Sequence, residues 1–338
     1  MSSAHSPTSP TRRTGLIVLS AFALVVGFLL AVPQRGFATE PNPSPSVHTP
    51  AIAKPVPGKR TSTGAPANTD PVTYHGGPVQ DAPQVYVVWW GSQWSSGNND
   101  PKKELFLQAY FLDSLYGAGD NWSTSATQYC SGIPTGSKDC SHAATFVGHP
   151  NSSPRVGQWD DESAAAPQSP TQGDIAAEAV KAAQYFGASG TNVQIIIDTP
   201  PGVVPSGFKT QYCAWHSVTS LPDNSQITYT NFPYIPDAGA TCGAGSVPVG
   251  STGVNADNEG VTIVGGHEYA ETLTDPGAWS GWTDDTQNGE TADKCAWTNM
   301  GIVTLNSNRY AVQPLWSNNA NSGSGGCVKY YNSAASQG

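Results

Sequence analysis

The sequence predicts an α/β fold: a single twisted sheet with flanking helices and long disulfide-pinned loops. Three observations predict it. The runs Gln84–Trp90 and Asn192–Asp198 are β-branched and aromatic, short, and bounded by turn residues, the pattern of buried strands. Two capped helical patterns lie between them, and strand, helix, helix, strand is an α/β alternation. Six cysteines, Cys130, Cys140, Cys213, Cys242, Cys295 and Cys327, are spread over glycine- and serine-bearing loops. An even count in an exported chain reads as three disulfides, and proximity in sequence pairs them in that order.

Taken in order, the chain opens with Arg12 and Arg13 ahead of Gly15–Val32, which is apolar except for Ser20 and stops at Pro33. A charged n-region followed by an apolar core is the layout of an export signal. The core is long enough to sit at the lower limit of a membrane-spanning helix. Residues 1–38 are therefore read as a signal peptide cleaved near Phe37-Ala38-Thr39, with an uncleaved N-terminal anchor as the alternative. Only in that case is a membrane a partner. Either way the body of the chain is expected to be secreted or extracellular.

Residues 39–71 are rich in Pro, Ser, Thr and Ala and bury too little to offset ordering entropy, so they read as a disordered linker. The folded domain spans 72–338. After the first strand, Asp100-Pro101 supplies an N-cap and a first-turn proline to a helix through Leu105, Phe106, Ala109, Leu112 and Leu115, ending at Gly117. A second helix opens with the capping-box pattern Thr171-Gln172-Gly173-Asp174 and runs to Gly187. The stretches 118–170 and 200–256 read as long loops, of the kind that are functional or disulfide-pinned in a compact domain. A third helix covers roughly Asn258 to Thr274, since Pro276 turns Asp275 away from helical angles. Trp279, Trp282, a turn at Asn288-Gly289, and short strands at Gly301–Leu305 and Tyr310–Gln313 complete the chain.

Composition narrows the function classes. With 12% charged residues, 36 Gly, 28 Pro and 10 Trp in 338 residues, the chain reads as loop-rich and extracellular. The net charge is −10, and because residues 1–70 carry a balance of +4, the body carries −14. An acidic body without a basic stripe argues against nucleic acid as a partner. No G-x-S-x-G occurs to seat a nucleophilic serine. The oxygen-rich stretches Asn255–Glu259 and Thr283–Thr286 lack the spacing of a calcium loop and read as turns and a cap.

The chemistry concentrates in Gly265-Gly266-His267-Glu268-Tyr269-Ala270-Glu271. On a helix, His267 and Glu271 share one face with Glu268 beside them. This is the H-E-x-x-H layout of zinc hydrolases with Glu in place of the last His, in which the outer residues hold metal and the inner Glu activates water. Glu290, 19 residues after Glu271, is the candidate third ligand, with Asp293 close behind it. One imidazole with two carboxylates suits a harder cation than zinc, and a second imidazole would favour zinc. His216 is the first candidate for it, then His75. Asp275 adds a further carboxylate to the set. The expected cofactor is zinc or another divalent cation, with Glu268 the catalytic base. Against this stands the plain reading of the helix as a solvated acidic face.

Several separated stretches together resemble the phosphate-induced protein 1 or Exordium-like family. They are Val72–Val79 before a strand ending in Trp89-Trp90-Gly91, then Gln211–Ser217, then the His267 helix followed by Thr274-Asp275-Pro276. The likeness spans roughly residues 72–330 and is nearest to bacterial members. It implies secretion and a shared fold more than it implies catalysis, because the plant members are extracellular wall proteins. Two functions are therefore expected from different classes. The first is a secreted metal-dependent hydrolase, zincin-like, acting on peptide or protein. The second is a non-catalytic extracellular protein binding cell-wall glycan.

Overall fold

The computed structural model describes residues 70–95, 99–277, 280–284 and 289–331. The expected export signal, the linker up to residue 69, Trp279, and Asp285, Thr286 and Asn288 of the predicted turns lie outside the described residues. At the centre is a sheet of β1 (Gln84–Trp90), β2 (Arg155–Asp161), β3 (Val193–Asp198), β4 (Trp215–Ser220) and β5 (Gln226–Phe232), ordered β2-β1-β3-β5-β4. The first four in that order run parallel, and β4 pairs antiparallel with β5 at one edge.

The α/β class is as the sequence predicts, but the single sheet holds only in part. Four two-stranded sheets surround the central one among the described residues. They are Thr73–Tyr74 with Trp282–Thr283, Cys130–Ser131 with Thr145–Phe146, the hairpin of β6 (Gly301–Leu305) and β7 (Asn308–Val312), and β8 (Leu315–Ser317) with β9 (Gly326–Val328). Three strands of the central sheet, β2, β4 and β5, occupy the stretches that read as long loops.

Successive side chains of a strand point to opposite faces, and the pairing registers sort them. Tyr86, Ile195, Tyr229 and Ser217 lie across from one another. This face meets α2 (Gln172–Phe186), where Phe186 packs on Tyr86 and Gln172 donates to the Tyr229 hydroxyl. Ile196, Thr230 and His216 share the other face. It is covered by α1 (Glu104–Leu112) and α3 (Glu259–Thr274), with Gln108 of α1 donating to Asp198 and the C-terminal end of α3 lying against His216. The result is a helix layer on each side of the sheet.

The helix signals explain two of the three boundaries. α2 has the predicted capping box, Thr171 with Asp174, and ends on Gly187 in the left-handed region. α3 runs through Thr274, as Pro276 requires. In α1 the cap works at longer range. Asp100 accepts from the backbone N–H of Glu104 and Leu105, while Lys103 at φ 63° turns the chain into the helix, so the first turn begins three residues after Pro101.

The cysteines pair as proximity predicts: Cys130–Cys140, Cys213–Cys242 and Cys295–Cys327, at sequence separations of 10, 29 and 32. In the chain-entropy model the shortest loop is worth about 2 to 3 kcal/mol and the two longer ones about 3 to 4 kcal/mol each. Three disulfides fit an oxidising compartment. No helix among the described residues is long and apolar enough to cross a membrane.

Candidate metal centre

α3 is buried along its entire length, and it carries His267, Glu268 and Glu271 into the interior. Close packing allows this. A Cβ on Gly266 would sit 2.8 Å from the Trp122 ring and 3.1 Å from Phe111, and one on Gly260 would strike the Cys242 carbonyl. Glycine inside a helix costs about 1 kcal/mol relative to alanine, and here it lets α1 and the Trp122 segment approach the helix axis. The reading of α3 as a solvated acidic face is excluded by this burial.

One helical turn separates His267 and Glu271, and their Nε2 and Oε2 atoms lie 3.1 Å apart. His216 arrives from β4, its Nδ1 3.3 Å from Glu268 Oε2 and 3.8 Å from Glu271 Oε2. The segment after the α3 turn contributes the rest. Asp293 Oδ1 is 3.4 Å from His267 Nε2, and the Asp293 N–H donates to Glu271 Oε1 at 2.9 Å. The donor atoms of His216, Glu268 and Glu271 all lie within 4.8 Å of one another, as do those of His267, Glu271 and Asp293. These buried groups can hold a metal ion.

Hydrogen bonds on the far side of each ring fix which nitrogen bears a lone pair. Gln313 Nε2 donates to the Ala292 carbonyl at 2.7 Å, so its Oε1 is the atom 3.2 Å from His267 Nδ1. An oxygen acceptor there makes Nδ1 the protonated nitrogen, and the neutral ring presents the Nε2 lone pair to Glu271 and Asp293. For His216 the carbonyl of Asp275 lies 3.2 Å from Nε2 and can only accept. Its Nδ1 lone pair therefore faces Glu268 and Glu271. A lone pair aimed at a carboxylate is repulsive unless a proton or a cation lies between, and either answer is a statement about charge. Of the converging atoms, His267 Nε2, Glu271 Oε2 and Glu268 Oε1 are buried and make no hydrogen bond of good geometry among the described residues.

The electrostatics of the ion-free cluster follow from crowding. Burial opposes charging His267, but Glu271, Asp293 and Glu268 overcome it and lift its pKa well above 6.5. His216 behaves likewise, with Glu268 outweighing burial. Burial, then Asp293, pushes Glu271 up to about 7 against the pull of His267. Glu290 is raised well above the carboxylate range by burial and then by Glu271, Asp275, Asp293 and Glu268. A cation bound among these groups would displace the protons they hold.

The other predicted residues are distributed around this core. Glu290 is fully buried with Oε1 3.6 Å from His216 Nε2, behind that ring rather than in either donor set. Asp275 Oδ1 accepts from the N–H groups of Ser280 and Gly281, so its carboxylate shapes the turn after α3 while its carbonyl holds His216. His75 belongs to neither donor set; its Nε2 lies 3.4 Å from Thr73 Oγ1. Asn255 accepts from the Asp257 N–H as an ordinary cap. Most tryptophans serve as buried anchors, Trp122, Trp215, Trp282 and Trp316 among them. Lys294, next to Asp293, is engaged by Asp284 at 2.8 Å and by the Trp316 ring. Sequence reasoning missed Gln313, whose bond to His267 crosses 46 positions, and the only local signal was a polar residue closing a predicted strand.

A second group of buried acids sits at the C-terminal end of β3. Asp198 and Glu104 are both buried and both raised above the carboxylate range, by burial first and, for Glu104, then by Asp198. It contains no imidazole.

Comparisons with protein-family models, with curated proteins and with solved structures find no match.

Proposed function

We propose that this chain is a secreted metal-dependent hydrolase of the peptidase type, working from the buried α3 centre. The observation that carries the reading is the convergence of His267 Nε2, Glu271 Oε2 and Asp293 Oδ1, with Gln313 holding the imidazole in the metal-binding tautomer. Three protein donors leave a position open, which is the arrangement of catalytic rather than closed sites. A divalent ion supplies an electrophile there and acidifies water toward neutrality.

The chain's own part in the reaction falls to Glu268. Its Oε2 is engaged by His216, and its Oε1 has no hydrogen bond among the described residues. Oε1 takes a proton from the attacking water as the C–O bond forms on the substrate carbonyl, and returns it to the leaving amine as the C–N bond breaks. His216, held by the Asp275 carbonyl and backed by Glu290, keeps Glu268 oriented. Asp293, with 13% of its side chain exposed, is the donor that meets solvent.

A second reading has its own observation. The helix is buried throughout, and closed metal sites are structural. On that reading the ion only braces an extracellular, Exordium-like protein that binds wall glycan, with the exposed Tyr185 stacked on Trp159 as a ring surface.

One experiment separates the two. Metal content and hydrolysis of a mixed peptide library are measured on the same samples of wild type and Glu268→Gln. The hydrolase reading expects chelator-sensitive turnover, and a variant that retains a bound ion while turnover falls by 100-fold or more, an order-of-magnitude expectation for losing a general base. Equal turnover in both proteins, or turnover indifferent to chelator, contradicts it.

A further inference from the structure

The donors around α3 fall into two overlapping sets, not one. His267 Nε2, Glu271 and Asp293 make the first, and His216 Nδ1, Glu268 and Glu271 the second, with the two imidazoles in different sets. Glu271 is the shared member, and its Oε2 faces both rings, 3.1 Å from His267 Nε2 and 3.8 Å from His216 Nδ1. Its other oxygen is already used by the Asp293 N–H. Building on the metal-centre reading above, we infer that the centre is made for two divalent cations, one in each set, bridged by Glu271 Oε2.

Distances support two positions. Donors placed tetrahedrally at about 2.0–2.2 Å from one zinc-sized ion stand roughly 3.3–3.6 Å apart. The first set shows 3.1 and 3.4 Å, and the second 3.3 and 3.8 Å. Each position is thus supplied with one imidazole and two carboxylate oxygens, one of them common to both. Each imidazole has its remote nitrogen tied to an oxygen acceptor, Gln313 Oε1 or the Asp275 carbonyl, the arrangement that orients a histidine ligand. A single ion would use one of these nitrogens and leave the other ring holding a proton against its carboxylate, whereas an ion in each set takes the place of both protons. Paired ions about 3.5–4 Å apart clamp both the attacking and the leaving atoms of a displacement. Glu268 serves the second position through Oε2 and keeps Oε1 for the proton.

The test is ion stoichiometry. The full chain is stripped with chelator, dialysed to equilibrium against Zn²⁺, and analysed for metal per chain; near-UV circular dichroism verifies that each variant is folded. Two ions per chain are expected in the wild type, one in Asp293→Asn, and one in Glu268→Gln. One ion in the wild type, unchanged in Glu268→Gln, overturns the two-ion inference and leaves the metal centre standing. None in the wild type removes the centre itself. Should either variant fail to fold, Mn²⁺-loaded wild type decides alone: electron paramagnetic resonance of an exchange-coupled pair is expected, and the hyperfine pattern of isolated Mn²⁺ overturns the proposal.

Discussion

At the residue scale the proposed centre depends on Gln313, which touches no proposed ion. Its amide donates to Ala292 and accepts from His267, and so dictates the tautomer of a ring that is entirely buried. Replacing Gln313 with Leu keeps the volume roughly but removes the acceptor, freeing the proton to sit on Nε2. Loss of such an outer partner weakens metal binding by about 10- to 100-fold. Competition against a fluorescent chelator measures it, and unchanged affinity would break the tautomer argument. His267, Glu268 and Glu271 were legible in the sequence because helical spacing alone puts them together. Gln313 and the positions of Glu290 and Asp293 relative to the rings were not, since they depend on how the chain returns after α3, which no local pattern encodes.

At the scale of elements, α3 is legible from its end signals but not from an apolar stripe, because burial on every side removes the amphipathic contrast by which a surface helix is recognised. The missed strands have a related cause. β4 and β5 turn His216, Thr228 and Thr230 inward toward the polar end of α3, so polar residues stand where a half-buried strand would show apolar ones. The turn Leu221–Ser225, with Pro222, Asp223 and Asn224 in its middle, was the available signal for that hairpin.

Packing of α3 gives a prediction at this scale. Gly266→Ala pushes on Trp122, whose Nε1 donates to the Gln313 carbonyl, so the strain passes to the residue that holds His267. A loss of about 1–3 kcal/mol is expected from overpacking, together with weaker metal binding. Denaturant unfolding measures the first and chelator competition the second. A variant of full stability would show that the close approach is not required.

For the whole molecule, disulfides and charge couple the centre to stability. Cys213–Cys242 anchors the segment leading to His216, and Cys295–Cys327 anchors the one bearing Asp293. Their pairing was legible because the short loops are the sequence neighbours. Removing Cys295 and Cys327 together as alanines is expected to cost about 3 to 4 kcal/mol and to release metal at lower chelator concentration. Thermal unfolding with metal analysis checks both, and retention of full affinity would show that the bridge does not position Asp293.

The pH dependence has a definite sign. Burial pushes Glu271 up to about 7 in the folded chain from its ordinary 4.5, so between those values the ion-free fold holds a proton that the unfolded chain has lost. Stability then falls as pH rises through that window, and His267, raised above 6.5, continues the fall at higher pH. Glu104 and Asp198 add the same slope to stripped and loaded protein alike, so the difference between the two isolates the centre. The gain in Tm on adding Zn²⁺ should grow from pH 5 to pH 8, because binding displaces protons. A gain independent of pH would contradict the assignment of these groups as ligands.

The most direct measurement is an anomalous difference map from crystals of the domain grown with Zn²⁺, recorded above the zinc edge. The account predicts density about 2.0–2.2 Å from His267 Nε2 and Glu271 Oε2, with a neighbouring peak against His216 Nδ1. A map without anomalous density there, with the same side chains in place, would contradict it.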